Sequence, residues 1–306
     1  MKVLFVVNPA AGHGRGARRW NEVSAIAGSI HEDAAVWLTS GPGDAARLSR
    51  KGLEEGFEAI VAVGGDGTLG EVADGYLSAP ESLRSGAVLG TWPVGSGCDF
   101  ARALGIKAKA RSFLQIFRQP KIERLDAGCV EFEGPSGPSR RYFLNVAALG
   151  LAGDVALKVS SKGKPWGGTL SYMMSSLGAL ACADPKLLEL VVDGVPETAK
   201  PYHLIVLANT STFGGGMRVA PHADPKDGFL DFVSVGELSR WGLLKRFPSI
   251  YTGGHIGTSG IAHRRLRCLE VNSPQKVYLN IDGEAIGTLP AIFKILPACV
   301  PFLSNA

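Results

Sequence analysis

The sequence has few cysteines, and no two of them stand in a metal-binding or redox spacing. The five are odd in number and far apart, at Cys98, Cys129, Cys182, Cys268 and Cys299. A disulfide framework or a zinc site needs paired or closely spaced cysteines. Neither is therefore indicated, and the cysteine content fits a protein of the reducing cytoplasm.

Long apolar runs are also missing. A helix that spans a bilayer needs about 20 consecutive apolar residues, and the nearest candidate, Gly167 to Cys182, is shorter and rich in glycine and serine. The first apolar run ends at Asn8 and Pro9, which suits a buried strand better than a signal peptide. We expect a cytoplasmic protein that touches the inner membrane surface peripherally at most.

A strong excess of charge of either sign is absent. The 306 residues carry 32 basic and 28 acidic side chains, a formal net charge of +4. This balance does not call for a nucleic-acid partner, although it suits contact with nucleotide phosphates or an anionic lipid surface. The oligomeric state, a homodimer included, is left open by the sequence.

Two common nucleotide-binding motifs are absent as well. The chain has no Walker A signature and no strand-associated GxGxxG fingerprint. The P-loop NTPase and dinucleotide-binding interpretations therefore lose support.

In the first half of the chain, strand-like and helix-like segments alternate with short connections. This pattern predicts a doubly wound parallel sheet with helices on both faces and ligands at the carboxyl ends of the strands. The predicted strands are Lys2 to Val7, Ala34 to Thr39, Ala59 to Val63 and Ala87 to Pro93; the predicted helices are Gly14 to Ile30, Asp44 to Glu55 with an Asp cap, Leu69 to Leu77 and Asp99 to Leu104.

The second half has alternating apolar runs with Asp-Gly dipeptides between them, which predicts hairpins of an antiparallel sheet or β-sandwich. One helix is predicted within it, from Thr169 to Leu180. We expect an α/β domain over residues 1–123, with residues 292–306 packing back on it, and a β-rich domain over residues 124–291. The runs are Tyr142 to Ala147, Leu187 to Val192, His203 to Asn209, Phe229 to Val235, Arg267 to Val271 and Lys276 to Ile281; the dipeptides begin at Asp193, Asp227 and Asp282.

Three glycine-rich loops each follow a predicted strand and precede a helix. Glycine lets backbone N–H groups approach phosphate oxygens, and a helix N-terminus adds positive potential there. Because the carboxyl ends of the strands share one sheet edge, three such loops favour a phosphate site over a set of tight turns. The loops are Asn8 to Gly14, Gly64-Gly65-Asp66-Gly67-Thr68, and Pro93 to Asp99, which contains Gly95-Ser96-Gly97.

Asp66 and Asp99 lie within the second and third loops. Carboxylates beside phosphates repel them unless a divalent cation lies between, so the pattern favours Mg²⁺ at Asp66 and Asp99. The alternative is that both are helix caps, a role that aspartate fills well.

The segments NPAAGHG, GGDGTLGEV and PVGSGCDFAR resemble the diacylglycerol kinase catalytic-domain family, which includes bacterial lipid kinases and is related to sphingosine kinases. Further counterparts follow in order along almost the whole chain. The GGDGT motif alone is shared with NAD kinases; the ordered set is specific. The other segments are Thr39 with Gly43-Asp44-Ala45, NVAALGLAGDVA, the run ending at Tyr172, PHADPKDGFLD and IDGEA.

The resemblance implies an ATP-dependent kinase that transfers the γ-phosphoryl group to a lipid hydroxyl of the diacylglycerol or sphingoid-base type. It implies ATP and Mg²⁺ as cofactors, an ATP site between the two domains and a lipid carried by the β-sandwich. The nucleotide-binding residues it implies are Asn8, Thr39, Gly64, Gly65, Asp66, Gly67, Thr68, Gly95, Ser96 and Gly97.

For catalysis, the resemblance points to Asp282 of the IDGEA segment as general base, with Glu284 beside it. The counterpart of Asp66 has that role in sphingosine kinases, and either carboxylate can accept the proton of a lipid hydroxyl. We favour Asp282, since Glu284 two residues on places a second carboxylate on the same strand face; the alternative is a plain Asp-Gly turn.

Two more aspartates match family positions. Asp227 resembles a residue that binds a structural Mg²⁺, and Asp154 resembles the acidic residue that holds the lipid head in sphingosine kinases. A turn is the alternative for Asp227 and a solvated loop residue for Asp154.

The chain departs from the family pattern at His13, Ser96 and Cys98, where lysine, threonine and asparagine are frequent. Histidine is mostly neutral at pH 7 and cysteine is a poor hydrogen-bond partner, although Arg15 can replace the missing charge. Two other functions stay open: a kinase of a water-soluble acceptor such as NAD, and a nucleotide-binding regulator that has lost catalysis.

Overall fold

The computed structural model describes residues 1–12, 34–94, 97–107, 116–117, 119–135, 137–153, 184–236 and 238–304. The chain divides into two compact units. Unit 1 comprises Met1–Leu125 and Ala298–Ala306, and unit 2 comprises Asp126–Pro297. Within the described residues, no helix has the length and apolar character needed to cross a membrane.

Unit 1 is built on a parallel sheet, as the alternating sequence predicts. Its strands stand in the order β2-β1-β3-β4, and the last residues of β16, the final strand Glu284–Ser304, add parallel to β4 through Phe302 and Leu89. The strands are β1 Val3–Val7, β2 Ala35–Leu38, β3 Ala59–Gly64 and β4 Val88–Pro93, and the helices are α1 Asp44–Glu54, α2 Asp66–Leu77, α3 Glu81–Arg84 and α4 Asp99–Ala103.

The central strands of this sheet are apolar throughout because both of their faces are buried. Every residue of β1 and β3 is buried. On one face Phe5, Val61 and Trp92 belong to a single apolar cluster. On the other face helix α1 approaches so closely that a Cβ added to its residue Gly52 would lie 2.5 Å from Leu4 Cδ2.

Helices α1 and α2 also pack closely against each other. A Cβ added to Gly75 of α2 would lie 2.1 Å from the carbonyl oxygen of Ala46 in α1. Only glycine allows this approach, so this small residue sets the spacing of the two helices.

Unit 2 is an antiparallel β structure, as its alternating runs predict. One sheet has the order β13-β12-β11-β7-β15-β16; β16 also pairs with β14, β14 with β8, and β5 forms a hairpin with β6. The strands are β5 Lys121–Gly134, β6 Gly137–Phe143, β7 Val146–Gly150, β8 Lys186–Val192, β9 Val195–Pro196, β10 Lys200–Tyr202, β11 Leu204–Ala208, β12 Leu230–Val235, β13 Ile261–Leu266, β14 Cys268–Asn272, β15 Tyr278–Ile281 and β16 Glu284–Ser304.

Alternate residues of β7 and β11 enter two different cores. Ala147 and Ile205 belong to the cluster inside the sandwich. Ala148 and Val206 belong to a cluster on the opposite face. Helix α5, Arg240–Arg246, continues as a 3₁₀ helix over Phe247–Tyr251, and Phe247 packs against that outer cluster. These strands are therefore buried on both faces, which explains their unbroken apolar sequence.

Several sequence-based boundaries differ from the structure. The predicted strand Tyr142 to Ala147 is two strands, because the backbone N–H groups of Leu144 and Asn145 bind the carboxylate of Asp282 instead of a neighbouring strand. The sequence analysis also missed the β5–β6 hairpin, β13 and most of β16, whose prolines argue against a strand.

Two local predictions were wrong. Asp44 does not cap α1: the N-cap is Gly43 at φ 79°, and the Asp44 carboxylate accepts instead from the backbone of Ser40 at 2.8 Å. Asp227-Gly228 is no two-residue hairpin, because it lies in the long connection between β11 and β12. The predicted helices Gly14 to Ile30 and Thr169 to Leu180 lie outside the described residues.

Candidate active site

The loops that follow β1 and β3 join at the carboxyl edge of the unit 1 sheet. Asn8 Nδ2 donates to Thr68 Oγ1 at 3.1 Å, and Asn8 Oδ1 accepts from the backbone of Ala10 at 3.0 Å. Thr39 is tied to the same edge, since its N–H donates to the carbonyl of Val7 at 2.9 Å. Three of the predicted nucleotide-binding residues are thus brought together.

Gly64 ends β3 at a point where no side chain fits. A Cβ at this position would lie 2.4 Å from Thr68 Oγ1. The Gly64 carbonyl accepts from the N–H of Val94 at 2.8 Å, which joins the second loop to the third. Gly65 is the N-cap of α2 in extended conformation, and Gly67 and Thr68 lie in the first turn of that helix. This helix begins at the edge where phosphate is expected.

The Asp66 carboxylate holds the start of α4. Its Oδ2 accepts from the N–H of Asp99 at 2.9 Å, and its Oδ1 accepts from the N–H of Phe100 at 3.1 Å. Burial raises the pKa of Asp66, the neighbouring Asp99 carboxylate raises it further, and the two N–H groups oppose the shift. Asp66 is therefore a cap, but of the neighbouring helix rather than of its own.

Asp99 is 3% exposed and forms an ion pair with Arg102 one turn later in α4. Arg102 Nη2 also donates to the carbonyl of Gly97 at 3.0 Å. The N-cap of α4 is Cys98 in the left-handed region at φ 49°, with Sγ 3.9 Å from the carbonyl of Gly64. The negative charge that the sequence analysis assigned to a cation is thus matched by Arg102.

Glu71 is a site residue to which the sequence analysis gave no role, although it stands in the quoted segment GGDGTLGEV. It is buried, and its carboxylate accepts from the N–H groups of Gly43 at 2.9 Å and Ala45 at 3.1 Å. Glu71 thereby fixes the segment after Thr39 to α2. A signal was present in the sequence: a carboxylate on the apolar face of a helix needs a buried partner.

The described residues do not offer Mg²⁺ a ready set of ligands. Asp66 is engaged by two backbone N–H groups and Asp99 by Arg102. No group of three or more His, Cys, Asp and Glu side chains suited to a metal ion occurs in the described ranges. Each carboxylate oxygen that accepts one N–H group keeps a further lone pair, so Mg²⁺ binding by Asp66 and Asp99 stays a prediction.

Asp227 lies in unit 2 beside a guanidinium. Its Oδ1 accepts from the N–H of Phe229 at 3.0 Å, and its Oδ2 is 3.3 Å from Arg265 Nη1. Burial raises the pKa of Asp227, against the effect of Phe229 and Arg265. Asp227 Oδ2 is nevertheless buried without a hydrogen-bond partner in the part of the chain that the structure describes. The structural Mg²⁺ that the resemblance implies at Asp227 therefore stays a prediction.

Asp282 occupies the turn between β15 and β16 and anchors the link between β6 and β7. Its φ of 49° and that of Gly283, 94°, are those of a two-residue hairpin turn. Its carboxylate accepts from the N–H groups of Leu144 at 3.3 Å, Asn145 at 3.2 Å and Val146 at 2.8 Å. The carboxylate is held in one orientation by three donors.

Glu284 does not share a strand face with Asp282, contrary to the prediction. Asp282 lies in the turn and Glu284 is the first residue of β16, paired with Ile281. The two-residue turn separates them, so the i, i+2 rule for one strand does not apply. Glu284 Oε2 lies 3.4 Å from Arg141 Nη2.

Three predicted site residues, Gly95, Ser96 and Asp154, fall outside the described residues, as does His13, at which the chain departs from the family pattern. The roles given to the three, nucleotide binding for Gly95 and Ser96 and lipid-head binding for Asp154, stay predictions.

Solved structures share the fold. A diacylglycerol kinase from Bacillus anthracis str. Sterne matches with a TM-score of 0.77 at 21% identity, over 99% of this chain and 97% of that chain. An NAD kinase from Archaeoglobus fulgidus, solved in complex with ATP, matches with a TM-score of 0.52 at 16% identity, over 99% of this chain and 93% of that chain. The fold is that of the diacylglycerol kinase and NAD kinase group.

Family models cover both units. Residues 2–130 match the diacylglycerol kinase catalytic domain, and residues 146–304 match the YegS C-terminal NAD kinase beta sandwich-like domain. The chain belongs to the diacylglycerol kinase catalytic-domain family, a family of kinases.

Two curated proteins are similar to this chain along most of its length. Diacylglycerol kinase of Mycobacterium tuberculosis (strain ATCC 25618 / H37Rv) is 29% identical over 306 residues, which is 99% of this chain and 94% of the relative. Diacylglycerol kinase of Bacillus subtilis (strain 168) is 29% identical over 267 residues, 85% of this chain and 82% of the relative.

Proposed function

We propose that the protein transfers the γ-phosphoryl group of ATP to the hydroxyl of a diacylglycerol-type lipid. The observation that carries this proposal is the correspondence, over 99% of the chain, with a relative named diacylglycerol kinase. In the reaction the lipid oxygen bonds to the γ-phosphorus, the bond from that phosphorus to the bridging oxygen breaks, and ADP leaves. The hydroxyl proton passes to a carboxylate.

Unit 1 holds the nucleotide in this proposal. The joined loops at Asn8, Thr39 and Gly64 meet at one sheet edge, beside the first turn of α2. Such an edge binds phosphate through N–H groups and the positive end of the helix. Mg²⁺ enters as part of the co-substrate, bound mainly by the phosphates of ATP.

The proton acceptor is Asp282 in this proposal. Its three backbone donors orient the carboxylate before the substrate arrives, which lowers the cost of reaching the reactive geometry. Asp66 stays the alternative base. Burial raises the pKa of Asp66, which favours proton acceptance, while its contacts with α4 give it a structural reason to be present.

An apolar cavity in unit 2 supports a lipid acceptor over a polar one. It has a volume of about 120 Å³ and is lined mainly by aliphatic and aromatic side chains, Leu151, Val206 and Met217 among them. Burial lowers the pKa of His255 in its lining, so that the ring stays neutral at pH 7. Apolar surface suits an acyl chain, and Arg246 is the charged residue in this lining.

The test is transfer of labelled γ-phosphate from MgATP to lipids in mixed micelles, with diacylglycerol, sphingosine and phosphatidylglycerol as acceptors and NAD as a water-soluble control. The proposal requires labelled phosphatidate. Asp282→Asn should lower kcat by about 10² to 10⁴, the usual contribution of general base catalysis. Asp66→Asn is run beside it to test the alternative base.

Asp193 supplies a matched control for the turn. It has the same left-handed conformation, φ 48°, before Gly194, and its Oδ1 accepts from the backbone N–H groups of Arg267 and Cys268. Asp193→Asn should cost similar stability and leave kcat within about twofold of the parent. Equal losses of kcat in both variants would show that Asp282 is a turn residue only.

A kinase of a water-soluble acceptor is the second candidate, since an NAD kinase shares the fold. Labelled NADP without labelled lipid would establish it. No transfer to any acceptor, with ATP still bound, would instead favour the nucleotide-binding regulator.

A further inference from the structure

One short segment of unit 2 has a packed inner face and an exposed outer face. The segment consists of α5 and the 3₁₀ helix that follows it, Arg240–Tyr251, and is called the α5 segment below. Leu243, Phe247 and Ile250 form its inner face and line the apolar cavity. Their spacing of four and three residues is that of one helical face. Packing against the strands therefore explains the inner face completely.

The outer face carries a large side chain that packing does not explain. Trp241 is 82% exposed, more than any other large apolar side chain that is exposed in the described residues. Lys245 and Pro248, four and seven residues later, are exposed on the same face. Indole combines a broad apolar body with a polar N–H, which makes it favourable at a boundary between water and lipid.

The surroundings of Trp241 are basic. Arg240, Lys245 and Arg246 lie in the α5 segment, and exposed Arg218 is attached to it, because the Arg218 N–H donates to the carbonyl of Ile250 at 2.9 Å.

Asp184 is 3.1 Å from Arg240 in an exposed pair, which has little energetic weight, and Glu237 precedes the helix in the sequence. Arg218 and the α5 segment therefore supply four basic groups, of which Arg240 is paired with Asp184. A positive surface with an exposed tryptophan is complementary to an anionic lipid layer.

We propose that the outer face of the α5 segment docks on an anionic phospholipid bilayer, with Trp241 among the headgroups and Lys245 against their phosphates. The purpose of this docking, though not its geometry, rests on the proposed lipid kinase function. Because the inner face of the same helix lines the apolar cavity, docking brings the cavity wall to within one helix diameter, about 10 Å, of the lipid. A lipid acceptor then has a short path from bilayer to protein.

The experiment is co-sedimentation of the full chain, without nucleotide, with vesicles of phosphatidylcholine alone and of phosphatidylcholine with about 30% phosphatidylglycerol. The parent should bind the anionic vesicles and release in high salt, as electrostatic attraction is screened there. Lys245→Gln should weaken binding about fivefold, the equivalent of about 1 kcal/mol for one basic group near such a surface. Trp241→Ala should weaken it about tenfold or more.

Two exposed residues elsewhere in unit 2 serve as matched controls. Val195 is 64% exposed on β9, and Lys200 is exposed on β10. Val195→Ala and Lys200→Gln should bind vesicles like the parent. If they weaken binding as much as the α5 variants do, the docking is not located at the α5 segment and the inference is wrong.

The remaining outcomes separate this inference from the proposed function. Transfer to a short-chain, water-dispersed diacylglycerol should be unchanged in Trp241→Ala, while transfer to long-chain lipid in vesicles falls. If the parent phosphorylates lipid but does not bind vesicles, the docking inference is wrong and the proposed function is retained. If vesicle binding depends on Trp241 but no lipid is phosphorylated, the proposed function is wrong and the docking inference is retained. A dimer that Trp241→Ala dissociates would assign the face to a second copy and overturn the inference.

Discussion

Two carboxylates five residues apart in α2 hold neighbouring segments of unit 1 in place. Asp66 binds the first backbone N–H groups of α4, and Glu71 binds those at the start of α1. The first N–H groups of a helix have no partner inside the helix, and a carboxylate both satisfies them and complements the helix dipole. One helix therefore organises two of the segments around the expected nucleotide site.

Replacement of Glu71 tests this role at the residue scale. In Glu71→Gln the amide NH₂ group cannot accept a hydrogen bond, so one buried N–H of α1 loses its partner. We expect the free energy of unfolding to fall by about 1–3 kcal/mol and the KM for ATP to rise more than kcat falls. Urea unfolding and steady-state kinetics measure the two effects.

Glu81→Gln is the matched control, because Glu81 is an exposed acid in the first turn of α3. Its effect should stay within about 0.5 kcal/mol. A Glu71→Gln variant as stable as this control would show that the two contacts of Glu71 contribute nothing.

At the scale of elements, an ion pair joins Glu197, the residue after β9, to Arg264 in β13. Arg264 contacts both carboxylate oxygens of Glu197, at 2.5 and 3.0 Å, and its guanidinium lies 4.7 Å from the ring centre of Phe232. The hydrogen bond to Arg264 lowers the pKa of Glu197 below its ordinary value of 4.5. Both side chains are about one third exposed, which limits the contribution of the pair.

The pH dependence follows from this lowered pKa. The ionised form is favoured in the folded state, so the contribution is present above pH 4.5 and is lost as pH falls through the lower, folded-state value. Glu197→Gln should reduce the free energy of unfolding by at most about 1 kcal/mol at pH 7. The difference should shrink to zero as the parent is acidified.

Urea unfolding of parent and variant at stepwise lower pH measures this difference. Exposed Glu270 on β14 provides the control, and Glu270→Gln should change the free energy of unfolding by no more than about 0.5 kcal/mol. A difference for Glu197→Gln that stays constant with pH would contradict the ion-pair explanation.

Over the whole molecule, each unit has its own core, and unit 1 recruits the last residues of the chain to complete its sheet. Phe302 is fully buried, pairs with Leu89 and packs at 5.4 Å against the ring of Phe100. The N–H of Phe100 is bound by Asp66. The end of the chain therefore supports α4 and the third loop of the nucleotide site.

Phe302→Ala tests this dependence. We expect a loss of about 3–5 kcal/mol in the stability of unit 1, the usual cost of removing a buried phenylalanine. ATP at about 100 times its Kd should restore about 2.7 kcal/mol, since it binds only the folded form. Thermal unfolding with and without ATP measures both effects.

Ile122→Ala controls for the loss of an apolar side chain, because Ile122 in unit 1 is 53% exposed. It should change the unfolding temperature by no more than a degree or two. A Phe302→Ala variant that behaves like this control would show that the last strand does not contribute to the core of unit 1.

Much of this architecture was readable from the sequence because it depends on local patterns. Apolar runs such as β1 and β3, the Asp-Gly turns at Asp193 and Asp282 and the glycine-rich loops after β1 and β3 each report a backbone preference of a few adjacent residues. The fold class and the family followed from the order of these patterns along the chain.

The tertiary structure decided which groups satisfy the charges. Asp66 and Glu71 bind backbone N–H groups more than 25 residues away, Asp282 binds those of residues 144–146, and Arg102 forms an ion pair with Asp99. A carboxylate accepts equally well from a metal, a guanidinium or an N–H group. Sequence alone therefore determined where the negative charges stand, and only the fold determined their partners, because those partners come from distant segments.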